Sequence, residues 1–172
     1  MKNIFAIACC LCVCSIAALG EKKQTKRPAS SVQSFINFAA QTDMVEAHLG
    51  QMAQTAAGSE QVKNYAQMLV TDQTSDFNQL SSVARQIGLI VPRAIDREQD
   101  KTIVDPVEKL QGTTFDHRYI EDIIAGHERG IAIFRKEAKE ARDPALKSYA
   151  DHALPILERH LAAAIKLEKT RS

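Results

Sequence analysis

At 172 residues with a formal net charge of +1, the chain suits one domain and has too little charge of one sign to favour nucleic acid or a strongly anionic partner. All four cysteines, Cys9, Cys10, Cys12 and Cys14, fall within residues 1–20. Beyond that stretch there is no disulfide, no thiolate nucleophile and no thiolate metal ligand.

Residues 1–20, MKNIFAIACCLCVCSIAALG, combine Lys2, an apolar run from Ile4 to Leu19 and a small-x-small ending at Ala18-Leu19-Gly20. This is the layout of a secretory signal peptide cleaved after Gly20. The run is shorter than the ~20 residues that a spanning helix needs. Lipidation fits less well, because the apolar stretch before Cys9 is short and Val13 before Cys14 is bulky. Lys2 is the leader's only charged residue, so the mature chain is formally neutral. Residues 21–30, EKKQTKRPAS, read as a flexible basic tether; a weak contact with the envelope surface is the alternative. The expected location is periplasmic or outer-membrane-associated, with no transmembrane segment left after cleavage.

Residues 31–169 form the predicted domain. From Ser31 to Ala57, the residues Phe35, Phe38, Ala39, Val45, Leu49, Met52 and Ala56 recur at spacings of three and four, one face of a helix. Gly58 breaks the run, and Ser59 is a good N-cap for a second helix to Ile87. Gly88 then ends it, with Pro92 soon after. Residues 89–112 are a long connection in which Pro106 limits helix to short pieces. A third helix is predicted from Thr113 to Ala141, and Asp143-Pro144 signals the start of a fourth. Pro155 lies inside that fourth helix, where a kink or loosened turn is expected. Nothing alternates with period two for long enough to make a strand. Two tight turns and one long crossover between helices 2 and 3 predict an all-α, ferritin-like four-helix bundle.

Polar residues fall on the apolar faces. At about 100° per residue, Glu46, Gln73, His127 and His160 lie on or near the inner face of successive helices, and Asp76 sits on the shoulder of the second. Asp72 is placed pointing away. Counted from the turns at ~1.5 Å per residue, the four inward groups differ in height by about 9 Å at most. One inward polar group per helix at mid-height allows two readings. The first is a divalent metal (zinc, iron or manganese) held by Glu46, His127 and His160, with Asp76 as a fourth donor. The second is a buried hydrogen-bonded layer in which Gln73 bridges Glu46 and a histidine and fixes the helix register. The Glu-x-x-His pattern of di-metal bundles is missing, so a di-iron pair is not expected. His48, His117 and His152 are predicted at the surface, and Met44, Met52 and Met68 as core fillers rather than a copper-binding set. No Gly-x-Ser-x-Gly elbow and no glycine-rich phosphate loop occur. No catalytic residue is assigned.

Four motifs follow one another in order: FINFAAQTDMVEAHLGQMA, VKNYAQMLVTDQT, FDHRYIEDIIAGHERGIAIF and LKSYADHALPILERHLAAA. With these the chain resembles a bacterial family of exported, ferritin-like four-helix proteins of unknown function, often labelled only "predicted outer membrane protein". The resemblance spans residues 32–167. It implies the fold and an envelope location but no reaction. It also implies Asp-His where this chain has Asp72-Gln73 and where it has Gly126-His127, so Gln73 replaces one of three inward histidines. The expected function is therefore a non-enzymatic binding or structural module of the envelope. The alternative is a metal-binding bundle, with oxidative stress as its setting. Partners are not specified by the sequence.

Overall fold

A computed structural model describes residues 29–170. The predicted leader 1–20 and most of the tether 21–30 lie outside the described residues. Ala29 and Ser30, assigned to the tether, are instead the first residues of a helix.

The described chain is all helical. Helix α1 spans Ala29–Ala56 and α2 spans Glu60–Gln86. The connection holds the short α3 (Arg97–Gln99), a π-helical turn (Asp100–Val104) and α4 (Asp105–Glu108). Helix α5 spans Gly112–Glu140 and α6 spans Pro144–Thr170. The predicted long helices are thus present to within two residues at each end. Pro155 does not interrupt α6, which is continuous across it.

Local chemistry sets these boundaries. The Ser59 hydroxyl accepts from the Val62 amide and caps α2. At the other end Gly88, at φ 73°, supplies the left-handed turn that closes the helix. Asp143 Oδ1 accepts from the amides of Ala145 and Leu146 at the start of α6. The α1–α2 turn is tied to the beginning of α5 by Asp116, whose two carboxylate oxygens accept from Gly58 N at 2.9 Å and Ser59 N at 3.0 Å.

The four long helices pack as two close hairpins, α1 with α2 and α5 with α6. The α1/α5 and α2/α6 seams are less intimate. The crossover is laced to α1 by two glutamine side chains. Gln33 Nε2 donates to Ile90 O at 2.6 Å while Ile90 N donates to Gln33 Oε1 at 3.3 Å. Gln41 likewise donates to Ala94 O at 3.0 Å and accepts from Asp96 N at 2.9 Å. These amides satisfy backbone groups that the irregular connection leaves unpaired.

The apolar core falls into two clusters. One gathers Leu49, Val62, Leu69, Phe115, Tyr119 and Ile123, among others. The other gathers Ile36, Leu80, Leu146 and an aromatic trio, Phe35, Phe134 and Tyr149, with ring centroids 5.0 to 6.3 Å apart. Met52 and Met68 pack against the first cluster and Met44 against the second, as core fillers do. Between the clusters, at mid-height, lie the polar side chains.

Candidate metal centre

Glu46 of α1, Gln73 of α2, His127 of α5 and His160 of α6 are all buried, none more than 4% exposed. One such side chain from each long helix meets the next in a chain of contacts. Gln73 Nε2 donates to Glu46 Oε2. His127 Nδ1 lies 3.3 Å from Glu46 Oε1 and 3.1 Å from the Ile123 carbonyl of its own helix. The imidazoles of His127 and His160 meet edge to face with centroids 5.4 Å apart.

The tautomers follow from the partners. A carbonyl only accepts, so His127 Nδ1 carries the proton and Nε2 keeps the lone pair. His160 Nε2 is 2.8 Å from Asp72 Oδ2; the carboxylate accepts, and His160 Nδ1 keeps its lone pair. Neither His127 Nε2 nor His160 Nδ1 has a hydrogen-bond partner, and both are buried. Two unsatisfied imidazole nitrogens in one interior are costly to desolvate. Each ring is held by its other nitrogen against a carboxylate or carbonyl, as metal-ligating histidines are. Burial pushes His160 below the ordinary histidine range, against the opposing pull of the Asp72 bond. A low value keeps the ring neutral and its lone pair available. Burial also pushes the Glu46 carboxyl up, while His127 and the Gln73 bond oppose that rise.

Two expectations change. Asp72, placed on the outer side of α2, turns toward His160 across the α2/α6 seam and also meets Arg159 Nη2 at 3.4 Å. The helical wheel fixes only where a side chain leaves the backbone, and here Asp72 meets an imidazole arriving from the neighbouring helix. Asp76, expected as a fourth donor, belongs to another group. It accepts from the Tyr149 hydroxyl and lies beside the buried Asp43 of α1. Asp43 was missed, although its position three residues before Glu46 puts it on the same face one turn away. Burial raises Asp43 well above the carboxylate range, with Asp76 and Glu46 adding to the rise, and burial raises Asp76 as well. His48, His117 and His152 are exposed, as predicted.

Among the described residues, no three His, Cys, Asp or Glu side chains converge as a group that could hold a metal ion. What the layer offers is a pair of nitrogens. That donor set is too small for zinc, iron or manganese, which take four or more ligands.

The chain belongs to the family described as a domain of unknown function, DUF4142, which matches residues 17–167. No curated protein matches the sequence. Its fold is similar to that of solved structures of CopM. The Cu(II)-bound form has a TM-score of 0.68 at 16% identity, covering 81% of this chain and 97% of that one. The Ag-bound form has a TM-score of 0.64 at 16% identity, over 80% and 95%. The Cu(I)-bound form has a TM-score of 0.68 at 16% identity, over 80% and 95%.

Proposed function

We propose that this DUF4142 member is an exported, ferritin-like four-helix module that binds one soft monovalent metal ion, Cu(I) or Ag(I), between His127 and His160, and that it is not an enzyme. The observation that carries the reading is the pair of buried, unpartnered imidazole nitrogens, His127 Nε2 and His160 Nδ1, on rings 5.4 Å apart. Asp72 orients His160, while Glu46 and the Ile123 carbonyl orient His127. Gln73 holds Glu46 in place rather than ligating. Solved structures of the same fold hold copper and silver, which supports the choice of ion. Export rests on the leader's layout. No described helix is long and apolar enough to cross a membrane. The divalent set of Glu46, His127, His160 and Asp76 is less well supported, because Asp76 is engaged by Tyr149 and Glu46 by Gln73.

One specific observation favours a second reading. The Gln73–Glu46–His127 chain of contacts is also what a register-fixing polar layer with no ligand would contain. Isothermal titration of the purified protein with Ag(I), and with Cu(I) under anaerobic reducing conditions, separates the two. The metal reading expects one ion per chain and a raised Tm on loading. It also expects at least about 100-fold weaker binding in the His127→Ala, His160→Ala double variant. Absence of binding by the wild type, with an unchanged Tm, leaves only the structural layer.

A further inference from the structure

Gly126 and Gly130 stand in the middle of α5, where glycine is the weakest helix former short of proline. Packing demands neither. A Cβ at Gly126 would meet only Glu46 Oε1, at 3.5 Å, which is ordinary contact, and one at Gly130 would meet nothing within 4 Å. At Gly126 the missing Cβ leaves an approach to that oxygen. A crevice of about 100 Å³ lies between α1 and α5 beside the crossover, and Glu46 and Gly126 both line it. Phe38, Leu49 and Ile123 give it apolar walls.

Glu46 supplies the second observation. Its carboxylate is buried, with the residue 4% exposed. Gln73 Nε2 donates to Oε2, and His127 Nδ1 lies 3.3 Å from Oε1. The amide is neutral, and His127 has no partner at Nε2 for the second ring proton that a charge would require. A buried carboxylate is ordinarily paired with a cation, and among the described residues Glu46 has none within 4 Å apart from this neutral ring. Two donors also leave about half of a carboxylate's acceptor sites unused. The crevice has a cation of its own, Arg129, but that side chain is exposed and its charge acts on Asp122.

We propose that this crevice binds a small organic cation, a short primary alkylammonium, with its head on Glu46 Oε1 over Gly126 and its carbon chain against Phe38, Leu49 and Ile123. The volume limits the chain. A cavity of about 150 Å³ holds a benzene ring, so a molecule of about four heavy atoms fits here. The site shares Glu46 with the histidine layer but uses neither imidazole lone pair, and it does not rest on the metal reading.

The test titrates the metal-free full chain with n-propylammonium and follows each backbone amide by NMR. Saturable shifts are expected at Phe38, Glu46 and Gly126, with a Kd of about 1 mM or tighter. Propanol has the shape without the charge, and potassium ion has the charge without the chain; each is expected to bind at least about tenfold more weakly. Gly126→Ala puts a methyl group in the approach to Oε1 and is expected to weaken n-propylammonium binding about tenfold or more. Gly130→Ala, one turn on and off the crevice lining, is expected to leave it unchanged. Both variants should fold, since neither Cβ meets a close neighbour. A wild type without saturable shifts overturns the proposal. So does propanol or potassium ion binding as tightly as n-propylammonium, or a Gly126→Ala variant that binds like the wild type.

Discussion

Asp72 shows what a sequence conceals at the scale of single residues. Glu46, Gln73, His127 and His160 were legible, because helical period and distance from the turns place them independently and both place them in one layer. Asp72 was not, because its inward role depends on His160 reaching across a seam from a different helix, which no local pattern encodes. As the partner of His160 Nε2, Asp72 positions the ring without ligating. Asp72→Ala is expected to weaken Ag(I) binding by about 10–100-fold, the usual cost of losing such a partner, while Asp72→Asn, which still offers an oxygen acceptor, restores part of it. The buried Asp43 gives a pH signature. Burial raises its carboxyl well above the ordinary range, helped by Asp76 and Glu46. A group so raised contributes stability fully below its unfolded value near ~3.9 and loses that contribution as pH rises through the folded value. Asp43→Asn removes the loss. Urea denaturation should therefore show the variant gaining stability relative to wild type as pH rises above about 4. A difference that does not change with pH would contradict the assignment.

At the scale of elements, the helices were readable because each carries its own punctuation: Ser59, Gly88 and Asp143 stand where caps and stops are needed. How the elements meet was less readable. Asp116 joins α5 to the α1–α2 turn through two backbone amides, a contact between distant segments that no local pattern encodes. Asp116→Ala leaves both amides to find other partners and is expected to cost about 1–3 kcal/mol. Hydrogen exchange at the Gly58 and Ser59 amides should quicken in the same variant. The close approach of α1 and α2 is set at Gly50, where a Cβ would stand 2.7 Å from Val70 Cγ2 and 2.9 Å from the Ala66 carbonyl oxygen. The carbonyl belongs to helix backbone and cannot yield. Gly50→Ala is expected to destabilise by about 1–3 kcal/mol, measured by the shift in urea midpoint.

At the scale of the molecule, two hairpins close around a polar layer that divides the core into two apolar halves. The sequence indicated four long helices and one crossover, and the described residues hold four long helices and that crossover. It did not indicate that the crossover is laced along α1 by Gln33 and Gln41, because amide-to-backbone bonds leave no periodic trace. Nor could it reveal that the crossover comes to rest beside the α1/α5 seam, where Gln99 and Ile103 share a crevice with Glu46 and Gly126. The metal reading has a rival at this scale in the methionines. Met44, Met52 and Met68 are divided between the two apolar clusters, on either side of the histidine pair, and so do not form one thioether site. X-ray absorption spectroscopy of the Cu(I)-loaded protein decides directly. The account expects two nitrogen scatterers with the outer-shell pattern of imidazole and no sulfur. Sulfur in the first coordination shell, or an unaltered spectrum in the His127→Ala, His160→Ala double variant, would contradict it.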